Sequence, residues 1–107
     1  MMTIAVKNID RYNRYLKENE NVFVLFSSSG CAPCRQMKPY YDRVSKETPE
    51  AKFLVMMESN NTEKILDSNN IMCFPTLIFF KNGKKKKSYD RYIGYRDLKD
   101  IVKKELK

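Results

Sequence analysis

Two of the three cysteines in this 107-residue chain lie within the stretch SSSGCAPCRQMKP, which spans residues 27–39. Thiols at C-x-x-C spacing serve in disulfide exchange, form half of a metal site, or occur by chance in a core. Cys31 follows an apolar run and precedes a helical pattern, so we expect its sulfur at a helix N-terminus, where free N–H groups favour the thiolate. Cys34 should be less exposed. The spacing suits a two-step exchange, in which Cys31 attacks a substrate disulfide and Cys34 resolves the mixed disulfide.

The metal and core interpretations have less support from the residues. A zinc site needs four ligands, but the chain has no histidine, and Cys73 is not part of a second C-x-x-C. No metal is therefore expected. The pair is not expected to be inert and buried, because residues 27–30 and Pro33 read as a polar turn. Disulfide exchange is the preferred interpretation, and it needs no cofactor beyond the two cysteines.

Composition indicates a single domain over residues 1–107. The hydrophobic content of 42% suits a globular core. Three cysteines are too few for a secreted disulfide scaffold. The N-terminal residues turn polar after Val6, unlike a signal peptide, and no run approaches the roughly 20 apolar residues of a membrane span. We therefore expect a soluble cytoplasmic protein with no membrane partner.

The net charge of +8 raises the question of a nucleic-acid partner. The basic residues are spread from Lys7 to Lys107, and 84–87 is their one continuous run. No nucleic-acid-binding motif accompanies this run, so a solvated charged surface is the preferred interpretation and nucleic acid is not expected. Binding to an acidic partner remains an alternative.

Hydrophobic patterning predicts an α/β fold with a central mixed sheet flanked by helices, in the order β-α-β-α-β-α-β-β-α. The alternating part predicts parallel strands, and Asn82-Gly83 predicts a type I′ hairpin that adds an antiparallel edge. Asn8 is the expected N-cap of the first helix, and Pro39 is expected to kink the second. The strands are predicted at 3–6, 21–26, 52–57, 75–80 and 84–93, and the later helices from Cys34, over 62–69 and after Gly94.

This order, together with C-x-P-C, resembles the thioredoxin family. The stretch FSSSGCAPCRQMKP is similar to the family's active-site segment, including Pro39 five residues after the second cysteine. PTLIFFKNG is similar to the family's P-T-L-x-x-F-x-x-G, and Gly94 falls at its late glycine. The resemblance covers nearly the whole chain and implies a thioredoxin fold.

The resemblance also implies roles for individual residues. Cys31 becomes the nucleophile and Cys34 the resolving thiol. Pro75 becomes the family's cis-proline facing the cysteines, and the backbone of Phe74 becomes a hydrogen-bonding partner for an extended substrate. A proline before the second cysteine, here Pro33, accompanies reducing members of the family. The remaining implied substrate contacts are Gly30, Ala32 and Gly94.

Some positions depart from the family pattern. Gly30 replaces a tryptophan that helps to dock reductase and substrates, and Ala32 replaces a glycine. Leu25 stands where most members have a buried aspartate, and a gapless count from Pro75 places Met56 at that aspartate's lysine partner. Both members of the polar pair are then apolar, which is consistent, since an unpaired buried charge is costly.

The expected activity is therefore the reduction of protein disulfides. The expected partners are disulfide-containing proteins and a thioredoxin-reductase-like electron donor, with the protein mostly monomeric. Cys73 is expected on the rim beside the active site, as a small filler or as a regulatory thiol that links two molecules. The alternatives are an oxidase or isomerase of the same fold, and a binding module for an acidic partner.

Overall fold

A five-stranded sheet with helices on both faces forms the protein, which a computed structural model describes over residues 3–107. The observed element order is the predicted one. None of the helices in this part of the chain has the length and apolar character needed to cross a bilayer. The strands are β1 (Thr3–Ala5), β2 (Asn21–Ser27), β3 (Lys52–Met57), β4 (Thr76–Lys81) and β5 (Lys84–Tyr89), and the helices are α1 (Ile9–Glu18), α2 (Ala32–Lys46), α3 (Glu63–Ser68) and α4 (Tyr95–Glu105).

The strands lie in the order β1-β3-β2-β4-β5. β2 is central, pairing in parallel with β3 and antiparallel with β4. Six of its seven residues are buried, as expected for a strand covered on both faces. The predicted type I′ turn between β4 and β5 is confirmed, since Asn82 and Gly83 have φ values of 52° and 80°.

The direction of β4 corrects the expectation that all strands of the alternating part are parallel. α3 has six residues and extends about 9 Å, whereas β3 is about 20 Å long. The short helix leaves the chain at the end of the sheet where β3 finished, so β4 starts there and runs antiparallel to β2. As a result, Pro75 lies at the same end of the sheet as the residues that follow β2.

Two apolar layers hold the helices to the sheet. One face of β2, with Phe23 and Leu25, packs against α2 and α4, and the other face, with Val24 and Phe26, packs against α1 and α3. The Tyr41 hydroxyl adds polar anchors for α2, because it lies 2.7 Å from the Leu54 carbonyl oxygen and 3.0 Å from that of Phe23. These contacts fix the helix that carries the cysteine pair.

The predicted helix ends are largely confirmed. The Asn8 side chain accepts a hydrogen bond from the Arg11 N–H at 2.9 Å and so caps α1. α2 continues through Pro39, which cannot donate to the Arg35 carbonyl. The second hairpin strand ends at Tyr89, short of the predicted residue 93.

Candidate active site

Cys31 is the N-cap residue of α2 and joins Cys34 in a disulfide, with 5.3 Å between their Cα atoms. The Cys31 sulfur accepts a hydrogen bond from the Cys34 backbone N–H at 3.1 Å. Cys31 is partly exposed, whereas Cys34 is 4% exposed. The predicted order of exposure is therefore confirmed.

The electrostatic setting of Cys31 favours negative charge on its sulfur. The first turn of α2 contains no acidic residue, and the free N–H groups and the positive end of the helix dipole are directed at the cap position. Arg35 adds a guanidinium in the same turn and donates to the Ser29 carbonyl oxygen at 3.3 Å. Such surroundings lower the free energy of a thiolate relative to a thiol.

The peptide bond between Phe74 and Pro75 is cis, as the family resemblance implied. Pro75 is buried, and Thr76 pairs with Phe26 near the end of β2. The Thr76 hydroxyl donates to the Cys73 carbonyl oxygen at 2.8 Å and closes the turn around the proline. The cis-proline turn is thus held at the sheet end from which the chain continues to Cys31.

The other residues implied as substrate contacts lie near the pair in the chain or at the start of α4. Gly30, Ala32 and Pro33 are exposed on both sides of Cys31. A Cβ atom added at Gly30 would meet nothing within 4 Å, so the surrounding fold does not require glycine at this position. Gly94 is partly exposed and is the N-cap residue of α4.

Cys73 is exposed and is the free cysteine of the described chain. Its sulfur lies 3.6 Å from the Asp90 carbonyl oxygen, so it is in contact with the segment that leads to α4. It also lies two residues before the cis-proline. This position agrees with a thiol on the rim of the cis-proline turn.

The placement of Met56 opposite Leu25 is wrong. Leu25 pairs with Val55 and faces α2, whereas Met56 pairs with Phe26 and belongs to the layer on the other face. Side chains alternate between faces along a strand, so a count that is off by one residue changes the face. Met57 is the next residue of β3 on the side of Leu25, and it is also apolar.

Cys34 lies against a cleft of about 360 Å³ on the surface of the sheet end. Val55 and Met57 form part of its wall, so the cleft lies beside the β3 residues on the Leu25 face. The lining residues are Ser27, Ser28, Ser29, Cys34, Arg35, Lys38, Val55 and Met57. The cleft places solvent-accessible space next to the buried residue Cys34.

The sequence analysis missed the partner of Lys38. The Lys38 ammonium lies 2.9 and 3.0 Å from the two carboxylate oxygens of Asp42, and Asp42 also accepts from the Thr3 hydroxyl at 2.7 Å. The i, i+4 spacing on a predicted helix was the available signal for the ion pair. The contact with Thr3 depends on the packing of β1 against α2 and has no local signal.

An exposed tyrosine cluster was also missed, since its members come from separate segments. The ring centroids of Tyr40 and Tyr95 are 6.3 Å apart, and Tyr92 lies close to Tyr40. The Arg43 guanidinium lies 4.2 Å from the Tyr95 ring centroid. Desolvation, with the contact to Tyr40, raises the pKa of Tyr92. The cluster adjoins Gly94 along the chain and adds apolar surface there.

No group of three or more potential metal ligands comes together within residues 3–107. The chemistry that the site offers is that of its thiols: a partly exposed sulfur at a helix N-terminus, a buried sulfur within bonding distance, and a cis-proline turn at the same end of the sheet. This arrangement can form and break a disulfide reversibly.

Comparisons with known proteins agree with this site. The thioredoxin family model matches residues 3–104. The chain is 28% identical to thioredoxin 1 of Plasmodium falciparum, covering 96% of this chain and 97% of that protein. It is 30% identical to protein disulfide-isomerase A2 of Mus musculus, covering 94% of this chain but spanning only 19% of that protein. The solution structure of oxidised P. falciparum thioredoxin superposes with a TM-score of 0.88, at 23% identity over 98% of this chain and 99% of that one. The chain therefore belongs to the thioredoxin family of thiol–disulfide oxidoreductases.

Proposed function

We propose that this protein reduces disulfides in protein substrates, with Cys31 as the nucleophile and Cys34 as the resolving thiol. The observation that carries the proposal is the difference in exposure within a closed pair: Cys31 is partly open to solvent at the N-terminus of α2, and Cys34 is 4% exposed. A substrate sulfur can reach Cys31, whereas Cys34 is placed to react within the protein.

The reaction begins from the dithiol form. The Cys31 thiolate attacks one sulfur of the substrate disulfide, forms a bond to it and releases the other substrate sulfur as a thiolate. Cys34 then loses its proton and attacks the Cys31 sulfur. The Cys31–Cys34 disulfide forms, and the second substrate thiolate leaves. Two electrons have passed from the protein to the substrate, and both substrate thiolates take up protons.

The surface around Cys31 supports binding of an extended substrate. The cis-proline turn presents the backbone of Phe74 at the sheet end near the pair, and backbone groups of this kind can pair with an extended peptide. Gly30, Ala32 and Pro33 line the approach to Cys31 without bulky side chains. Gly94, at the start of α4, completes the proposed contact surface.

Family members act on disulfide-containing substrates and draw electrons from a reductase. For this chain we propose a thioredoxin-reductase-like donor and a protein that is mostly monomeric. The exposed Cys73 supports a disulfide-linked dimer under oxidising conditions. An exposed free thiol persists best in a reducing compartment, which supports a cytoplasmic location.

An isomerase of the same fold is the second candidate, favoured by the 30% identity to mouse protein disulfide-isomerase A2. The reduction potential of the cysteine pair separates the two activities, since it is about −270 mV in thioredoxin and about −180 mV in protein disulfide isomerase. Pro33 supports the reducing assignment through the family resemblance. A binding module without redox activity is less well supported, because the cysteine pair is intact and closes a disulfide.

The proposal is tested by reduction of insulin. With dithiothreitol as the electron source, the wild type should accelerate precipitation of the insulin B chain above the rate with dithiothreitol alone, and Cys31→Ser should not. Replacing dithiothreitol by NADPH and a standard thioredoxin reductase tests the proposed donor. A wild type no faster than dithiothreitol alone would contradict the reductase assignment. A wild type that reactivates scrambled ribonuclease faster than it reduces insulin would favour the isomerase.

A further inference from the structure

Release of the proton from Cys34 presents a chemical problem in this chain. Cys34 is 4% exposed, and Leu25, on the sheet face beneath α2, is fully buried and cannot accept a proton. The cleft of about 360 Å³ beside Cys34 is therefore the open space through which a proton can reach water. The groups that line this cleft determine how easily the Cys34 thiolate forms.

The charges on the cleft wall are both positive and both belong to α2. They are carried by Arg35 and Lys38, whereas β2 and β3 contribute Ser27, Val55 and Met57, whose side chains do not titrate. Glu58 follows β3 and is exposed, and it does not line the cleft. The neighbouring segments that contain Cys73 and Asp90 do not line it either.

Lys38 is the cation best placed to act on Cys34. The two residues are four positions apart on α2, so they lie on the same face of the helix in adjacent turns. Arg35 also lines the cleft, but it is the residue next to Cys34, on a different face of the helix, and its guanidinium donates to the Ser29 carbonyl oxygen. The Lys38 ammonium is therefore the charge that shares both the helix face and the cleft with the buried thiol.

Asp42 holds the Lys38 ammonium in place and partly neutralises its charge. Its carboxylate binds the Lys38 ammonium through both oxygens at 2.9 and 3.0 Å. The carboxylate itself accepts from the Thr3 hydroxyl at 2.7 Å, and Thr3 is 3% exposed in β1. An ion pair between exposed side chains is usually mobile. In this pair the acidic partner is held by its hydrogen bond to a residue of the sheet.

We propose that Lys38 stabilises the thiolate of Cys34 during resolution, and that Asp42 acts through Lys38 as a positioning residue. This inference rests on the proposed function. Cys34 releases its proton to water in the cleft, and its thiolate attacks the Cys31 sulfur of the mixed disulfide. The Cys31–Cys34 bond forms as the bond between Cys31 and the substrate breaks, and the electron pair leaves with the substrate thiolate. That thiolate takes a proton from water, so no further reductant is needed.

Removing the charge of Lys38 and removing the charge of Asp42 should change the ease of forming the Cys34 thiolate in opposite directions. Loss of the ammonium leaves the Asp42 carboxylate unneutralised and disfavours a second negative charge nearby. Loss of the Asp42 charge leaves the Lys38 ammonium unneutralised and so favours the Cys34 thiolate. A purely structural role for the pair would not produce shifts of opposite sign.

The test measures the pH midpoint of alkylation of Cys34 in a Cys31→Ser, Cys73→Ser background, where Cys34 is the sole thiol. Lys38→Met should raise the midpoint by about 0.5–1 unit, Asp42→Asn should lower it, and Lys38→Arg should leave it near that of the background. Lys46→Met, the same substitution about two turns further along α2, is the matched control and should leave the midpoint unchanged. All these side chains are at least partly exposed, and denaturant unfolding verifies that each variant is folded.

A second measurement uses the protein with all three cysteines. Release of the second substrate thiolate in a single turnover near neutral pH should slow about three- to tenfold in Lys38→Met. This is the loss of Cys34 thiolate expected from a rise of about 0.5–1 unit in its pH midpoint. Shifts of the same sign in Lys38→Met and Asp42→Asn, or no shift in Lys38→Met, would overturn the inference. Because the alkylation needs no substrate, it separates this failure from a failure of the reductase proposal, which the insulin assay reports.

Discussion

Leu25 and Val55 are paired across β2 and β3 on the sheet face that packs against α2, and Met57 follows Val55 on the same side. Leu25 is fully buried, whereas Met57 is 43% exposed at the edge of the cleft beside Cys34. An acidic residue at 25 would thus have its natural basic partner at 57, where a lysine can extend into the sheet edge while its ammonium stays near water.

This relationship predicts the outcome of a double-mutant cycle. Leu25→Asp alone should lower the free energy of unfolding by about 1–3 kcal/mol or more, because the buried carboxylate lacks a partner. Adding Met57→Lys should recover part of the loss, with a coupling energy of about 0.5–3 kcal/mol. Denaturant unfolding of the wild type, the two single variants and the double variant measures the coupling.

Met56→Lys is the matched control for the cycle. Met56 is fully buried on the opposite face, so its lysine should destabilise the fold and show no favourable coupling to Leu25→Asp. A larger coupling at 56 than at 57 would mean that the two faces have been assigned incorrectly.

The cysteine pair should differ in reactivity when reduced. The sulfur of Cys31 is partly exposed at the N-terminus of α2, so a limiting amount of iodoacetamide near neutral pH should label Cys31 before Cys34. Peptide mapping of the Cys73→Ser variant identifies the labelled residue without interference from the exposed thiol. Preferential labelling of Cys34 would reverse the assignment of roles.

Tyr89 and Glu105 should make part of the stability sensitive to alkaline pH. The Tyr89 hydroxyl donates to the Glu105 carboxylate, and desolvation together with this contact raises the pKa of Tyr89 to about 12. The pKa is raised on folding, so the contribution is complete below about pH 10 and is lost as the pH rises toward about 12.

Tyr89→Phe should therefore be less stable than the wild type by about 0.5–1.5 kcal/mol near pH 7, and the difference should shrink between about pH 10 and 12. Urea unfolding across this range measures the difference. Tyr15→Phe removes a hydroxyl whose neighbour is Arg11 rather than a carboxylate, and it serves as the control. A constant gap for Tyr89→Phe up to pH 12 would exclude the contribution of the Glu105 contact.

Cys73 should link two molecules under oxidising conditions, because its thiol is free and exposed. After treatment with peroxide, non-reducing electrophoresis should show a dimer for the wild type and a monomer for Cys73→Ser. Equal amounts of dimer in both proteins would assign Cys73 to the role of a small filler.

Much of the fold could be predicted from the sequence because its signals are local. The apolar runs of β2 and β3, the Asn8 cap and the Asn82-Gly83 turn each depend on a few adjacent residues. The direction of β4 was not predicted, since it depends on the short length of α3 relative to β3 rather than on a local pattern.

The site was predicted in part for the same reason. Cys31, Cys34 and the cis bond before Pro75 follow from short motifs and the family resemblance. The error at Met56 arose because strand register, which decides the face of each residue, cannot be obtained from a residue count alone. The contact between Thr3 and Asp42 joins residues 39 positions apart and has no signal in either segment.

The central claim is that Cys31 carries the substrate and Cys34 releases it. Trapping the mixed disulfide tests this claim most directly. Reduced Cys34→Ser and reduced Cys31→Ser, each with Cys73→Ser, are mixed with a disulfide-bonded substrate, and the covalent adducts are mapped by mass spectrometry. We predict that Cys34→Ser accumulates a stable adduct through Cys31 and that Cys31→Ser forms little or none. An adduct that accumulates through Cys34 in the Cys31→Ser protein, with none through Cys31 in the other, would contradict the account.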